Sequence, residues 1–251
     1  MKSMRFLFVF IGLGFIFYVL NHCASHDESK CVVPAKTERT LMKIYNRTKD
    51  SVLVYITLGT TPGCLQNALD IPFIKDTVPG QRGLQGWFTL TGGDSTCAYA
   101  PEKLGYNGVV SFNYQPSNCP TDAYPNGINQ FEFILNNNFQ GEYAQESINI
   151  SCVHGVNCII LASVITSNPF NAGPTCTNVE SFSNRLDKRS IGIVGVYPYG
   201  CDTCTGSKTP PSCIPLPQPA QKASICQVQR SARLSGGLIK VSYLGNNEPL
   251  K

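Results

Sequence analysis

Alternation of apolar and polar positions is the strongest signal along this chain. In residues 51–58, Val52, Val54, Ile56 and Leu58 share one face, and Leu53, Tyr55 and Thr57 share the other. A period of two with β-branched side chains is what a half-buried strand requires, because successive side chains leave opposite faces of the pleat. Residues 130–136 repeat the pattern, with Phe131, Phe133 and Leu135 opposed to Glu132 and Ile134. Residues 147–153 align Ile148, Ile150 and Cys152, and residues 237–243 align Ile239, Val241 and Tyr243. Residues 40–46, 86–90 and 108–114 are further predicted strands. Residues 158–164 form a nearly continuous apolar run, which predicts a strand buried on both sides. The turn-like stretch 46–50 predicts that strands 40–46 and 51–58 form a hairpin. No window sustains a period of 3.6, and residues 181–188 offer one or two helical turns at most. Gly, Pro, Asn, Ser and Thr punctuate the chain about every ten residues, as short strands joined by turns do. The predicted class is all-β, a sandwich.

The N-terminus departs from this pattern. Lys2 and Arg5 precede an unbroken apolar run of 15 residues, Phe6 to Leu20. A membrane-spanning helix needs about 20, whereas a charged start and a short apolar core are the layout of a secretory leader. Residues 1–24 are therefore predicted to be a signal peptide. The stretch Leu20-Asn21-His22-Cys23 faintly resembles a lipoprotein leader that would end before Cys23 and lipidate it, although His22 is larger than the residue usual there. An uncleaved anchor is the remaining reading. Residues 25–39 read as an N-terminal extension, 40–245 as one domain and 246–251 as a tail. The predicted location is secreted, or cell-surface or periplasmic, with membrane contact only through the leader or a lipid.

Export changes how the 12 cysteines are read. In an oxidising compartment they are most simply disulfides. The candidates are Cys31, Cys64, Cys97, Cys119, Cys152, Cys158, Cys176, Cys201, Cys204, Cys213 and Cys226, an odd number unless Cys23 remains and pairs. Spacing does not determine the connectivity. Cys201 and Cys204 have the first half of a zinc-ribbon spacing, but Cys213 and Cys226 do not complete it. No metal or other cofactor is predicted. Residues 200–226 are rich in Cys and Pro and read as a surface loop stapled by disulfides.

Charge narrows the partners. The chain has 20 basic and 16 acidic side chains, and only 14% of its residues are charged. No Lys/Arg cluster offers a phosphate-tracking surface, so nucleic acid is not an expected partner. The chain is expected to be monomeric. Asn46-Arg47-Thr48 and Asn149-Ile150-Ser151 are glycosylation sequons, relevant only in a eukaryotic secretory route.

Several segments in this order resemble the thaumatin-like proteins. Leu41-Met42-Lys43-Ile44-Tyr45-Asn46-Arg47 with Val52-Leu53-Val54-Tyr55 resembles the opening strand pair of that family. Phe88-Thr89-Leu90-Thr91-Gly92-Gly93-Asp94-Ser95 is similar to the stretch that follows. Asn129-Gln130-Phe131-Glu132-Phe133-Ile134-Leu135 is similar to the family's L-A-E-F-T-L, and Asn149-Ile150-Ser151-Cys152-Val153-His154-Gly155-Val156-Asn157 to its D-x-S-L-V-D-G-F-N. Gly195-Val196-Tyr197-Pro198-Tyr199 resembles its Y-S-Y-P-x, and residues 237–243 resemble its final strand. The resemblance covers residues 40–245 and implies a central sandwich with disulfide-rich loops beside it. It also implies a cleft that, in plant-type members, is built from one Arg, one Glu and three Asp. Here Glu132 keeps the Glu, Asn149 and His154 replace two Asp, and residues 108–112 lack the Arg. The third Asp has no equivalent near Ile193.

These departures bear on chemistry. Glycoside hydrolysis needs two carboxyl groups about 5–9.5 Å apart, and the resemblance leaves only Glu132. His154 is the sole histidine in the 40–245 domain, and no G-x-S-x-G is present. No catalytic residue is assigned, and an enzyme is the less favoured reading. The expected function is non-catalytic binding of an extracellular or cell-wall glycan by Glu132, Asn149 and His154. The alternatives are a surface or effector-type protein that binds another extracellular protein, and a weak β-glucanase. The last needs a second carboxylate, such as Glu142, Glu146 or Asp94, near Glu132.

Overall fold

The computed structural model describes residues 38–79, 83–115, 128–138, 144–152, 156–172, 177–184, 194–197 and 228–246. Its strands are β1 (Leu41–Asn46), β2 (Val52–Leu58), β3 (Asp76–Thr77), β4 (Gln85–Leu90), β5 (Tyr106–Phe112), β6 (Gln130–Leu135), β7 (Gln145–Ser151), β8 (Cys158–Ile165), β9 (Phe170–Ala172), β10 (Thr177–Val179), β11 (Ser181–Ser183), β12 (Val196–Tyr197), β13 (Val228–Ser231) and β14 (Leu238–Asn246). Only two short 3-10 turns, Ala68–Asp70 and Ala232–Leu234, interrupt them among the described residues. The class is all-β, and no described helix is long and apolar enough to cross a membrane.

The strands form two sheets. The smaller runs β1-β14-β8-β11. The larger runs β10-β9-β13-β7-β6-β5-β2-β4-β3, with β12 beside β7. Parity decides what lies between them. Met42 and Ile44 of β1, Ile239 and Val241 of β14, and Ile160 and Ala162 of β8 meet Val54, Ile56, Val110, Phe131 and Ile148 of the larger sheet in one apolar core. Phe112 and Tyr243 join the two layers, with ring centroids 5.2 Å apart. Burying each of the Val, Ile, Met and Phe side chains contributes about 1.5–3 kcal/mol.

Four expectations need correcting. Strands β1 and β2 do not form a hairpin: β1 pairs in parallel with β14, while β2 pairs with β4 and β5. The chain turns from one sheet into the other at Asn46, which is fully buried and satisfied. Its Nδ2 donates to the carbonyls of Asp50 and Leu90, and its Oδ1 accepts from the backbone and hydroxyl of Thr48. Strand β8 is buried on one face only, with Ile159 and Leu161 half-exposed, because among the described residues no layer covers the outer side of the smaller sheet there. Ser181–Ser183 is strand, not helix, held by pairing with β8.

The fourth correction concerns cysteine. Cys97 is disulfide-bonded, but Cys64, Cys152 and Cys158 are buried free thiols. They pack as small core residues: Cys158 Sγ lies 3.5 Å from Asn129 Oδ1, and burial pushes the Cys152 thiol up to about 12. Cys23, Cys31, Cys119, Cys176, Cys201, Cys204, Cys213 and Cys226 lie outside the described residues, as does the whole of the Cys/Pro-rich stretch 200–226.

Candidate functional site

The outer face of the larger sheet carries a pocket of about 370 Å³. Register builds it. Glu132 on β6 lies opposite Asn149 on β7 and Val109 on β5. Residues directly across a sheet share a face, so Ile134, opposite Ser147 and Asn107, extends the same wall by one pleat. Tyr197 is added from β12, which pairs in parallel with β7 so that Tyr197 lies opposite Ser151.

Tyr197 depends on a glycine. Gly195 sits at φ +78°, and a Cβ there would come within 2.4 Å of the Phe182 ring. Only glycine tolerates both that backbone and that approach. Its carbonyl accepts from the Ile150 amide at 2.8 Å, which docks β12 on β7.

Two of the three residues singled out from sequence are thus brought together. Asn149 Nδ2 donates to Glu132 Oε2 at 2.8 Å. Among the described residues the other carboxylate oxygen has no partner, so it remains an open acceptor. His154 lies outside the described residues. Asn107, Ser147 and Tyr197 were missed. The first two were readable as same-face partners had the pairing of β5, β6 and β7 been known. Asn107 donates to Thr61 Oγ1 at 2.9 Å, but its Oδ1 is buried without a donor. Such an orphan costs about 1–3 kcal/mol.

The second carboxylate needed for hydrolysis is not supplied by Glu146 or Asp94. Glu132 is the only acidic residue in the pocket's described lining. Glu146 has the opposite parity on β7 and points into the core, where its side chain is fully buried. It accepts from Arg230 Nε at 2.7 Å, from the Thr40 hydroxyl at 2.9 Å and from the Asn136 amide at 2.6 Å. Arg230 spends its other donors on Thr166, Asn168, Thr40 and Gly236. Glu142 lies outside the described residues.

Both sequons are closed by the fold. Asn46 is committed to its corner, and Asn149 is nearly buried with its amide on Glu132. A glycan on either nitrogen would displace these contacts. A second cavity of about 400 Å³ lies at that corner, walled by Asp50, Asn113, Tyr114, Tyr243 and Asn246. Asn113 Nδ2 and the Tyr243 hydroxyl both donate to Asn246 Oδ1, at 3.0 and 2.7 Å.

No protein-family model and no curated protein matches this chain. Two solved structures are similar in shape. One is the protein elicitor MoHrip2 from Magnaporthe oryzae, at 10% identity and TM-score 0.35, covering 81% of this chain and 98% of that one. The other is the thaumatin-like xylanase inhibitor TLXI, at 12% identity and TM-score 0.35, with the same coverage. At that TM-score the likeness carries no weight for function.

Proposed function

We propose that this chain is a secreted, distant thaumatin-like protein that binds an extracellular or cell-wall glycan without cleaving it. The observation that supports this reading is the Glu132–Asn149 pair at the floor of the outer-face pocket. One carboxylate with a free acceptor oxygen, flanked by neutral amides, a serine and a tyrosine, suits the hydroxyl groups of a sugar. A single carboxylate does not suit acid–base hydrolysis, which needs two.

A glycan-array screen, followed by titration of any hit against Glu132→Gln, tests this. The expected result is binding to a neutral polysaccharide that weakens at least about tenfold in the variant, as loss of a charge-assisted hydrogen bond implies. No glycan hit, or a hit indifferent to Glu132, would overturn it.

A further inference from the structure

The smaller sheet presents a different surface. Its outer face carries Lys43, Tyr45 and Arg47, each two residues on from the last along β1 and its end, beside Lys240 of β14. Lys43 Nζ lies 5.2 Å, Lys240 Nζ 5.8 Å and Arg47 Cζ 4.3 Å from the centre of the Tyr45 ring. Lys43 and Lys240 occupy directly opposite positions on paired strands. Like charges so placed are destabilising, and among the described residues none of the three cations has a carboxylate partner. Asp94 stands close in the chain path, since its carbonyl accepts from the Asn46 amide, yet it forms no ion pair with them.

A local electrostatic cost that no carboxylate among the described residues offsets points to a use for the charge. We propose that Lys43, Arg47 and Lys240 form a docking site for an acidic polysaccharide bearing carboxylate or sulfate groups. Tyr45 is the positioning residue. Its ring attracts all three cations and holds the Arg47 fork ready for a bidentate anion contact. The row continues from Lys240 to Ser163 and Ser181 on β8 and β11. These short hydroxyl side chains leave a low track across the strands on which a sugar chain can lie and hydrogen-bond. A peptide would instead seek a strand edge, and this is a sheet face. Three clustered cations also fall short of the extended basic stripe that a nucleic-acid backbone requires. The site is independent of the Glu132 pocket, which lies on the outer face of the other sheet.

The test is binding of the mature chain to immobilised polygalacturonate and dextran sulfate across a salt series, with neutral dextran and duplex DNA alongside. Lys43→Gln/Lys240→Gln keeps the stems over the ring, and Lys75→Gln/Lys103→Gln removes the same charge elsewhere. The expected result is binding to one or both polyanions but not to dextran. In the patch variant affinity falls about tenfold or more, and the slope of log affinity against log salt shrinks by about two. The Lys75/Lys103 variant should match wild type, and the patch variant's melting temperature should hold or rise as the lysine repulsion is relieved. No polyanion binding, equal losses in both variants, tighter binding to DNA, or a lowered melting temperature in the patch variant would overturn the proposal.

Discussion

Glu132 and Glu146 sit on adjacent, paired strands, yet the protein uses them in opposite ways. Glu146 faces the core and is saturated by Arg230, Thr40 and Asn136. Glu132 faces outward, holds one amide and keeps an oxygen open. The difference is side-chain parity alone, and it separates a carboxylate that holds the fold together from one that can meet a ligand. The Glu146 network ties the start of β1, the end of β6, β7, β13 and the turn before β14 to one another, and Arg230 also stacks 4.2 Å from the Phe170 ring.

The sharpest way to break the comparison is to remove one partner of the buried pair. Arg230→Leu leaves a buried, uncompensated carboxylate and should cost about 3–5 kcal/mol, read by denaturant melts. Glu132→Ala should cost no more than about 0.5 kcal/mol. If the two costs are similar, the division of roles is wrong. Replacing the whole pair, as Glu146→Leu/Arg230→Met, should recover much of the loss.

Next in size is the alkaline limit of the core. Burial raises Cys152 from 9.0 to about 12 and Tyr99 from 10.0 to about 12, and it also raises Cys64 and Cys158. The folded state therefore keeps protons that the unfolded chain releases. This stability is whole below about pH 9 and is lost as pH rises towards about 12. A stability profile flat from pH 9 to 12 would contradict it. The same burial should keep the three thiols unreactive to iodoacetamide until the chain unfolds, which a mass-spectrometric labelling time course measures.

Smaller again is the corner. Asn46→Ala strands the buried Leu90 carbonyl it serves and should cost about 1–3 kcal/mol by thermal melt. The smallest stability effect is expected at the pocket wall: Asn107→Leu deletes an orphaned acceptor as well as one hydrogen bond, and should shift stability by no more than about 1 kcal/mol.

Much of the strand content was legible before any coordinates. The alternation at Val52–Leu58, Gln130–Leu135 and Leu238–Asn246 marked real strands and the core faces of each. The short strands β9, β10, β12 and β13 were not legible, because two to four residues carry too little periodicity to stand above the surrounding turns. Glu132 and Asn149 were singled out through a resemblance, whereas Asn107, Ser147 and Tyr197 entered only through register. The role of Glu146 was misjudged as a possible second site carboxylate because its partner Arg230 is 84 residues away.

What the amino-acid sequence determined by itself was local: which segments extend, which side of each is apolar, and that the chain builds sheets and not helices. These follow from a period of two and from β-branched side chains, which need no distant partner to declare themselves. Which strands pair, that β1 leaves β2 for β14, and which outward side chains meet were decided only in three dimensions. Pairing is a contest among distant edges, settled by how the buried faces and polar groups such as Asn46 and Arg230 can all be satisfied at once.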